Sequence, residues 1–204
     1  MKIIAVTGGI STGKTTLVKT LRRLGAPVSD ADAISRSLTA PGGKALPLIR
    51  EAFGNDVFEN NGTLNRRALG AIVFHSPEKK AILEGILHPL IICQVRTELE
   101  QFAREGHRAA VLDVPLLFET GMDQMADEVW CTSLPEEEQL HRLMERDGFT
   151  REEALARMAS QMSRQEREKR SDVLISTIGT IEETAEIVRQ AWEKSVGKGE
   201  NEWK

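Results

Sequence analysis

Gly8-Gly9-Ile10-Ser11-Thr12-Gly13-Lys14-Thr15 is the stretch of sequence on which the fold depends. It matches the pattern G-x-x-x-x-G-K-[ST] at every fixed position. The preceding residues 2–7 are apolar and β-branched, as in a strand buried in a parallel sheet, and apolar residues recur at helical spacing from Gly13 to Leu24. Because both flanks fit, we interpret the stretch as a phosphate-binding loop between a strand and a helix.

Each residue type in this loop has a physical reason. Glycines let the backbone curl so that successive N–H groups point at phosphate oxygens, and the following helix adds its positive dipole end. Lys14 is expected to reach the β- and γ-phosphates, the Thr15 hydroxyl to bind Mg²⁺, and Thr16 to lie near the α-phosphate. The predicted nucleotide-binding residues of the loop are Gly8, Gly9, Ile10, Ser11, Thr12, Gly13, Lys14, Thr15 and Thr16.

The composition excludes several classes of protein. The chain has 204 residues, 40% of them hydrophobic, which is enough for a sizeable core, so disorder as a whole is excluded. A formal net charge of −4 lacks the positive field of a general nucleic-acid binder. Cys93 and Cys131 form no C-x-x-C pair and have no histidines at zinc-ligand spacing, which excludes a disulfide scaffold or zinc fold.

Neither the N-terminus nor the longest apolar stretch predicts secretion or a membrane span. The N-terminal run passes straight into glycines without a cleavage site, unlike a signal peptide. Residues 81–95 are interrupted by Glu84, His88 and Pro89, well short of the roughly 18 apolar residues that a membrane helix needs. We therefore expect a cytoplasmic protein that binds neither membrane nor nucleic acid, and the sequence indicates no obligate protein partner.

The order of the predicted elements favours an α/β fold. Five short apolar runs separated by helical patterns are the predicted strands: 2–7, 28–30, 108–114, 128–132 and 173–176. Residues 44–107 are predicted to form an inserted helical lobe. Its helical segments are 46–53, 66–74, 77–87 and 90–104, with breaks at Asn60-Asn61-Gly62 and at His88-Pro89.

Three Ser/Thr-x-x-Glu sequences have the spacing of capping boxes, in which a hydroxyl and a glutamate satisfy the first N–H groups of a helix. They are Ser133 with Glu136, Thr150 with Glu153, and Thr180 with Glu183. They predict helices that begin near residues 134, 151 and 181. The last helix is expected to give way to a frayed tail at residue 194.

Two aspartates follow the second predicted strand as Asp30-Ala31-Asp32. Residues two apart in a strand face the same side, so both carboxylates are expected to face the phosphates at the carboxyl end of the sheet. One would act as base for an acceptor hydroxyl and the other would orient metal-bound water. The alternative is that one or both cap the next helix.

A third carboxylate, Asp113, ends the predicted strand 108–114. Enzymes with this kind of phosphate loop often place a metal-directed carboxylate at such a position. Support of the metal and simple strand-end capping are both compatible with the sequence.

Several basic side chains recur at helical spacing. Arg142 and Arg146 lie four residues apart and could close over a transferring phosphoryl group, or could form a solvated face paired with Glu138 and Glu145. For the similar array Arg164, Arg167 and Arg170, and for His88 within an apolar segment, the residues alone favour a solvated helix and a satisfied buried histidine.

The motifs taken together resemble one family, the dephospho-CoA kinases. VTGGISTGKTT resembles its phosphate loop, and LGAPVSDADAISRSLTAPG resembles the segment that follows the first helix. NGTLNRRALGAIVF, ILHPLI, VLDVPLLFETG, HRLMERDG and QMSRQEREKRSDVLI then follow in the family's order. The phosphate loop is shared by many nucleotide-binding proteins, whereas DAD, LHPLI and PLLFE in that order are far more specific.

The resemblance implies a fold. It is a single P-loop NTPase domain of three-layer α/β/α type with a five-stranded parallel sheet, a helical acceptor lobe and a helical lid. The implied core is about residues 1–43, 108–133 and 171–193, the acceptor lobe 44–107 and the lid 134–170, with 194–204 as the tail.

The resemblance also implies a reaction, transfer of the ATP γ-phosphoryl group with Mg²⁺ to the ribose 3′-hydroxyl of dephospho-CoA. Asp32 matches the family's base, although the residues themselves leave Asp30 and Asp32 both open. Lys14 matches the phosphate-loop lysine, and Arg142 and Arg146 fall in the lid motif. The implied acceptor-binding residues are Asp30, Asp32, Arg66, His88, Pro115, Leu116 and Glu119, and the implied metal site is Thr15 with Asp113.

Two positions depart from the family's pattern. Thr177 stands where ADxVIxNxG has asparagine, a change that bears on hydrogen bonding to adenine and hence on nucleotide selectivity. Ser11-Thr12 replaces a commoner Gly-Ser or Gly-Ala pair. Ser11 still offers its N–H, so phosphate binding is expected to survive unless position 11 requires a positive φ.

Other functions share part of this pattern. A kinase acting on a nucleoside or nucleoside monophosphate shares every phosphate-loop argument and differs only in its acceptor. A GTPase is disfavoured because the chain has no N-K-x-D guanine reader and no D-x-x-G switch. A nucleotide-binding regulator without turnover would keep its function after Asp32→Asn.

Overall fold

The computed structural model describes residues 1–197. Its strands are β1 (Lys2–Gly8), β2 (Val28–Asp30), β3 (Ala109–Asp113), β4 (Glu128–Ser133) and β5 (Val173–Ser176). They form one parallel sheet in the order β2-β3-β1-β4-β5. The predicted α/β class with a five-stranded parallel sheet is confirmed.

The helices are α1 (Lys14–Arg23), α2 (Ala31–Leu38), α3 (Leu46–Phe53), α4 (Arg66–His75), α5 (Pro77–Arg104), α6 (Glu136–Asp147), α7 (Arg151–Ala159), α8 (Arg164–Lys169) and α9 (Ile181–Val196). Contacts divide the chain into two units. The first consists of Met1–Ser29 with Gln101–Lys204, and the second of Asp30–Glu100. None of the helices within residues 1–197 is long and apolar enough to cross a membrane.

The core of the first unit lies between the sheet and helices α1 and α9. The consecutive residues Ile4, Ala5 and Val6 of β1 are fully buried, and Val6 is in register with the buried Trp130 of β4. Leu17 and Leu21 of α1 join the same cluster. Such burial of consecutive β1 residues is the pattern of a parallel strand covered on both faces, and it fixes the position of the loop that follows β1.

The break predicted at His88-Pro89 is wrong, because α5 runs without interruption for 28 residues with Pro89 inside it. A proline costs a helix one hydrogen bond and crowds the carbonyl four residues earlier. That residue is Gly85, whose backbone adjusts more easily than that of any other residue. The predicted segments 77–87 and 90–104 are therefore one helix.

Two of the three predicted capping boxes are confirmed. Thr150 and Thr180 each cap their helix with the reciprocal glutamate bond. The box at Ser133 is wrong, because Ser133 is the last residue of β4 and its hydroxyl donates to Glu168 Oε1 at 2.5 Å. Helix α6 begins at Glu136 after Pro135, without a side-chain cap.

Helix α9 continues to Val196, so residues 194–196 are helical and the tail predicted from residue 194 is wrong there. Trp192 and Val196 pack against the core of the first unit, and the Ser195 hydroxyl donates to Glu128 Oε1 at 2.9 Å. These contacts hold the last turn. The remainder of the predicted tail, residues 198–204, lies outside the described residues.

Candidate active site

The predicted phosphate loop joins the end of β1 to the start of α1. The N–H groups of Thr16 and Leu17 donate to the Gly13 carbonyl, at 2.9 and 3.3 Å, and so start the helix. The N–H groups of Ser11, Gly13, Lys14 and Thr15 have no hydrogen-bond partner among residues 1–197. Unpaired N–H groups at a helix N-terminus form an anion-binding cradle, which is what phosphate oxygens require.

Position 11 adopts the positive φ that the sequence analysis gave as the exception to its expectation that phosphate binding survives. Ser11 lies at φ 57°, and it is the one residue other than glycine with positive φ in the described chain. Its side-chain hydroxyl is buried and has no hydrogen-bond partner among residues 1–197. A residue with a Cβ costs about 1 kcal/mol in this left-handed conformation, so the loop carries local strain at Ser11.

Threonine hydroxyls hold the loop from the direction of β4 and β5. The Thr12 hydroxyl donates to the Gly9 carbonyl at 2.7 Å and lies 2.6 Å from the Thr132 hydroxyl. Since Thr12 has a single hydroxyl hydrogen, Thr132 is the donor to Thr12. The Thr177 hydroxyl donates to the Thr12 carbonyl at 2.8 Å. These three side chains fix the middle of the loop.

Two loop glycines are required by sterics. Gly8 is in register with Thr132, and a Cβ on Gly8 would collide with the Thr132 hydroxyl. Gly13 lies at φ 85°, a conformation that favours glycine, and a Cβ there would lie 3.2 Å from the Thr177 Cβ. Thr177 therefore packs against the loop, and its buried hydroxyl donates to a loop carbonyl.

Sequence reasoning missed two glutamines that bind the loop. Gln139 of α6 donates from Nε2 to the Ile10 carbonyl at 2.7 Å, and the Ile10 N–H donates to Gln161 Oε1 at 2.9 Å. Both backbone groups of Ile10 are thus fixed by side chains that follow β4. Gln139 lies on a polar helix face, which gives no signal in the sequence, and Gln161 begins the motif QMSRQEREKRSDVLI, which gives its position but not its contact.

Lys14 and Asp113 form an ion pair in the first unit. Asp113 is at the end of β3, in register with Val6 of β1, which brings its carboxylate beside the loop lysine. Plain strand-end capping does not describe this contact. Thr15, the other predicted metal ligand, is exposed at the start of α1.

In the second unit, Asp30 and Asp32 have different environments. Asp30 is the N-cap of α2 and accepts from the Ala33 N–H at 2.8 Å, so the capping alternative is confirmed for Asp30. Asp32 is exposed on α2, and no hydrogen bond to its carboxylate is formed within residues 1–197. The expectation that both face one side is wrong, because the strand ends at Asp30 and helical geometry applies to Asp32.

Arg66 is held at the far end of α2. Its Nη2 donates to the Thr39 hydroxyl at 2.6 Å and to the Arg36 carbonyl at 3.3 Å. This contact joins α4 to the helix that carries Asp32. His88 is partly exposed on α5, so its interpretation as a satisfied buried histidine is wrong.

The predicted acceptor segment after β3 belongs to the first unit. The Thr7 hydroxyl donates to the Pro115 carbonyl at 3.1 Å, which holds the segment against the end of β1. Leu116 is exposed, although it is a large apolar residue. Glu119 accepts from the Met162 N–H at 3.4 Å and so contacts the connection between α7 and α8.

Arg142 and Arg146 lie on α6 and both have carboxylate partners. Arg142 Nε donates to Glu138 at 3.0 Å, and its Nη2 donates to the Ile178 carbonyl at 3.3 Å. Arg146 makes two bonds to Asp147, at 2.8 and 2.7 Å, which lower the pKa of that carboxyl group. The charged-face alternative is confirmed for Arg142. Arg146 is likewise exposed and paired with a carboxylate, but its partner is Asp147 rather than Glu145.

The arginines of α8 differ from a solvated helix face in one respect. Arg164 donates from Nε to Glu168 at 2.7 Å, and Arg170 lies over the Phe118 ring at 4.2 Å, so both match surface pairing. Arg167 is only 7% exposed. The solvated interpretation is therefore wrong for Arg167, whose guanidinium is turned toward Gly9 of the loop.

A phosphate loop between the first strand and first helix of a parallel sheet, with its lysine and threonine in place, defines a P-loop nucleotide-binding protein. Comparison with known proteins narrows this class, because residues 2–183 match the family model described as dephospho-CoA kinase. The chain belongs to the dephospho-CoA kinase family.

Individual relatives agree with the family match. The chain is 42% identical over 195 residues to the dephospho-CoA kinase of Carboxydothermus hydrogenoformans, covering 94% of this chain and 95% of that protein. Among solved structures, TT1252 from Thermus thermophilus aligns with a TM-score of 0.81 at 33% identity, covering 97% of this chain and 98% of that one. The dephospho-CoA kinase from Campylobacter jejuni aligns with a TM-score of 0.74 at 26% identity, covering 96% and 98%.

Proposed function

We propose that this protein transfers the γ-phosphoryl group of ATP to the ribose 3′-hydroxyl of dephospho-CoA, giving CoA and ADP in the last step of coenzyme A synthesis. The observation that carries the proposal is the cradle of unpaired N–H groups at Ser11, Gly13, Lys14 and Thr15. Family membership supports the choice of acceptor. The cytoplasmic location and the absence of nucleic-acid and obligate protein partners remain part of this proposal.

The loop's contribution to phosphoryl transfer is to position the phosphates and neutralise their charge. Phosphoryl transfer needs little covalent chemistry from the protein, so fixed N–H groups and cations supply most of the catalysis. Lys14, whose N–H group is part of the cradle, also carries a positive side chain. When ATP binds, this side chain would exchange its Asp113 partner for phosphate oxygens. Arg142, which contacts the carbonyl beside Thr177, and Arg146 are the proposed lid cations.

Asp32 is the proposed base for the acceptor hydroxyl. Its carboxylate is exposed and has no hydrogen-bond partner within the described residues, whereas Asp30 accepts a helix N–H. A free carboxylate can accept a proton without losing a structural bond. Arg66 holds the other end of the same helix and, with His88, Pro115, Leu116 and Glu119, completes the proposed acceptor-binding set.

Mg²⁺ is the proposed cofactor. The Thr15 hydroxyl and the Asp113 carboxylate are hard oxygen donors of the kind that Mg²⁺ prefers, together with nucleotide phosphates and water. Mg²⁺ would neutralise charge on the β- and γ-phosphates when bound.

The test is an acceptor screen with purified protein. ADP release from Mg-ATP is measured alone and with dephospho-CoA, pantetheine, adenosine or nucleoside monophosphates, and each product is identified by mass. We expect rapid turnover with dephospho-CoA only, and CoA as its product. Phosphorylation of a nucleoside monophosphate, or of no acceptor, would overturn the proposal.

A matched control excludes a contaminating kinase. Lys14→Met keeps the length of the side chain but removes its charge, so turnover should fall on the order of 100-fold or more. Lys19→Met makes the same change on an exposed residue of α1 and should leave turnover within about twofold. Equal activity in all three proteins would indicate a contaminant.

A further inference from the structure

A cavity of about 360 Å³ opens in the first unit between helices α6, α7 and α8. Its polar lining consists of Glu136, Gln139, Gln161, Ser163, Arg164 and Arg167. Gln139, Gln161 and Arg167 lie beside the start of the phosphate loop. A Cβ built on Gly9 would lie 3.0 Å from Arg167 Nη1 and 2.9 Å from Gln139 Nε2. The guanidinium of Arg167 is therefore in contact range of the loop backbone at Gly9.

The buried guanidinium of Arg167 has an acidic neighbour, Glu168, whose pKa it helps to lower, but it forms no ion pair with it. The side chain is 7% exposed, and its hydrogen bond runs from Nη2 to the Met162 carbonyl at 2.6 Å. No carboxylate in residues 1–197 forms an ion pair with Arg167. Its neighbour Glu168 accepts from Arg164 at 2.7 Å and from Ser133 at 2.5 Å, and so is already committed. Because the hydrogen bonds of the Glu168 carboxylate go to Ser133 and Arg164, the buried guanidinium keeps donors that an anionic ligand could use.

The expected direction of the nucleotide identifies that anion. The α- and β-phosphates lie at the helix end of a phosphate loop, near Lys14 and Thr16, and the lysine reaches on to the γ-phosphate. The phosphate chain therefore runs from the start of α1 back toward the beginning of the loop. On that general pattern the terminal group of ATP would lie toward the Gly9 end of the loop, which the Arg167 guanidinium contacts.

We propose that Arg167 is a further catalytic residue, whose guanidinium binds the terminal phosphoryl group of ATP at the Gly9 end of the loop. The inference rests on the proposed function in that ATP is the donor. Guanidinium groups bind phosphate oxygens through two parallel N–H bonds, and a water-poor site strengthens each bond. Arg167 would supply positive charge as the phosphoryl group leaves ADP, in addition to the proposed lid cations Arg142 and Arg146.

The test compares the affinities of Arg167→Gln for ADP and for the non-hydrolysable ATP analogue AMP-PNP, each with Mg²⁺, by titration calorimetry. Glutamine removes the charge and keeps a donor for the Met162 carbonyl. We expect the Kd of AMP-PNP to rise roughly 10- to 100-fold and the Kd of ADP to stay within about twofold, because only AMP-PNP carries the terminal group. Arg189→Met, which removes one paired surface charge on α9, should change neither Kd.

A structural role for Arg167 predicts a different pattern. If Arg167 only supported the loop, both nucleotides would lose affinity by the same factor, and this result or an unchanged Kd for AMP-PNP would overturn the proposal. Arg167→Lys is the second variant, for use if the glutamine variant does not fold, and it should show a smaller, AMP-PNP-specific loss. Failure of the wild-type protein to bind either nucleotide would instead contradict the proposed function.

Discussion

The Thr177 hydroxyl, at the end of β5, donates a hydrogen bond of 2.8 Å to the carbonyl of Thr12 in the middle of the phosphate loop. Thr177 is buried, and its Cβ packs against Gly13. The residue that departs from the family's asparagine therefore supports the loop directly. Loss of this hydroxyl would leave a buried carbonyl without its donor.

The variant Thr177→Val tests that support. Valine has the same shape but no donor, so the free energy of unfolding should fall by about 1–2 kcal/mol, measured by urea denaturation. The KM for ATP should rise with it, because the loop loses a fixed point. Thr97→Val is the control, since Thr97 is exposed on α5, and its effect should stay within about 0.5 kcal/mol. Equal stability of both variants would contradict the role of Thr177.

Strain at Ser11 leads to a stabilising substitution. Ser11→Gly relieves the positive φ and removes a buried hydroxyl without a partner, so the free energy of unfolding should rise by about 1 kcal/mol. Ser160→Gly is the control, because Ser160 lies at φ −76° and glycine gains nothing there. A loss of stability in Ser11→Gly would show that the left-handed conformation carries no strain.

Asp32→Asn separates the chemical step from nucleotide binding. Because the carboxylate is exposed and unpartnered among residues 1–197, the free energy of unfolding and the Kd of ATP should stay nearly unchanged. The value of kcat should fall by about 100-fold to 10,000-fold if Asp32 is the base. Asp56→Asn, an exposed aspartate elsewhere in the second unit, serves as control and should keep full turnover. Full turnover in Asp32→Asn would rule out Asp32 as the base.

The two cysteines predict a difference in pH dependence. Burial raises the pKa of the Cys131 thiol to about 11 from 9.0. A group whose pKa is raised on folding adds stability below its unfolded pKa and loses that contribution as pH rises through the folded pKa, here between about pH 9 and 11. Urea unfolding under reducing conditions measures this effect.

From pH 8 to pH 10, the wild-type protein should lose about 1 kcal/mol more stability than Cys131→Ala does. Cys93 is exposed, so Cys93→Ala should lose stability in parallel with the wild type. An identical pH dependence in the wild type and Cys131→Ala would contradict the raised pKa.

The parts of the fold that local pattern determines were predictable. All five strands and the loop that starts α1 follow from apolar runs next to glycine and helical spacing. The helix break predicted at Pro89 is absent because Gly85, four residues earlier, can accommodate the proline ring. The helix cap predicted at Ser133 is absent because its hydroxyl donates to Glu168 instead. Local rules apply only until a tertiary contact offers a better partner.

The candidate site was predictable where a motif defines it and not where packing does. The phosphate loop could be recognised from its glycines and lysine. Gln161 and Arg167 fall in the motif QMSRQEREKRSDVLI and Gln139 lies on the polar face of α6, but the contacts of all three with the loop depend on tertiary packing that the sequence does not show. The different environments of Asp30 and Asp32 depend on the point at which β2 ends and α2 begins, which the sequence does not define to the residue.

The two glutamine bonds to Ile10 have a consequence for how ATP associates. The Ile10 carbonyl accepts from Gln139 at 2.7 Å, and the Ile10 N–H donates to Gln161 at 2.9 Å. The loop backbone at Ile10 is therefore ordered during folding, and its conformational entropy is lost before a ligand binds. Preorganisation of this kind spares the encounter complex an ordering step. The free energy of phosphate binding then goes into affinity rather than into shaping the loop.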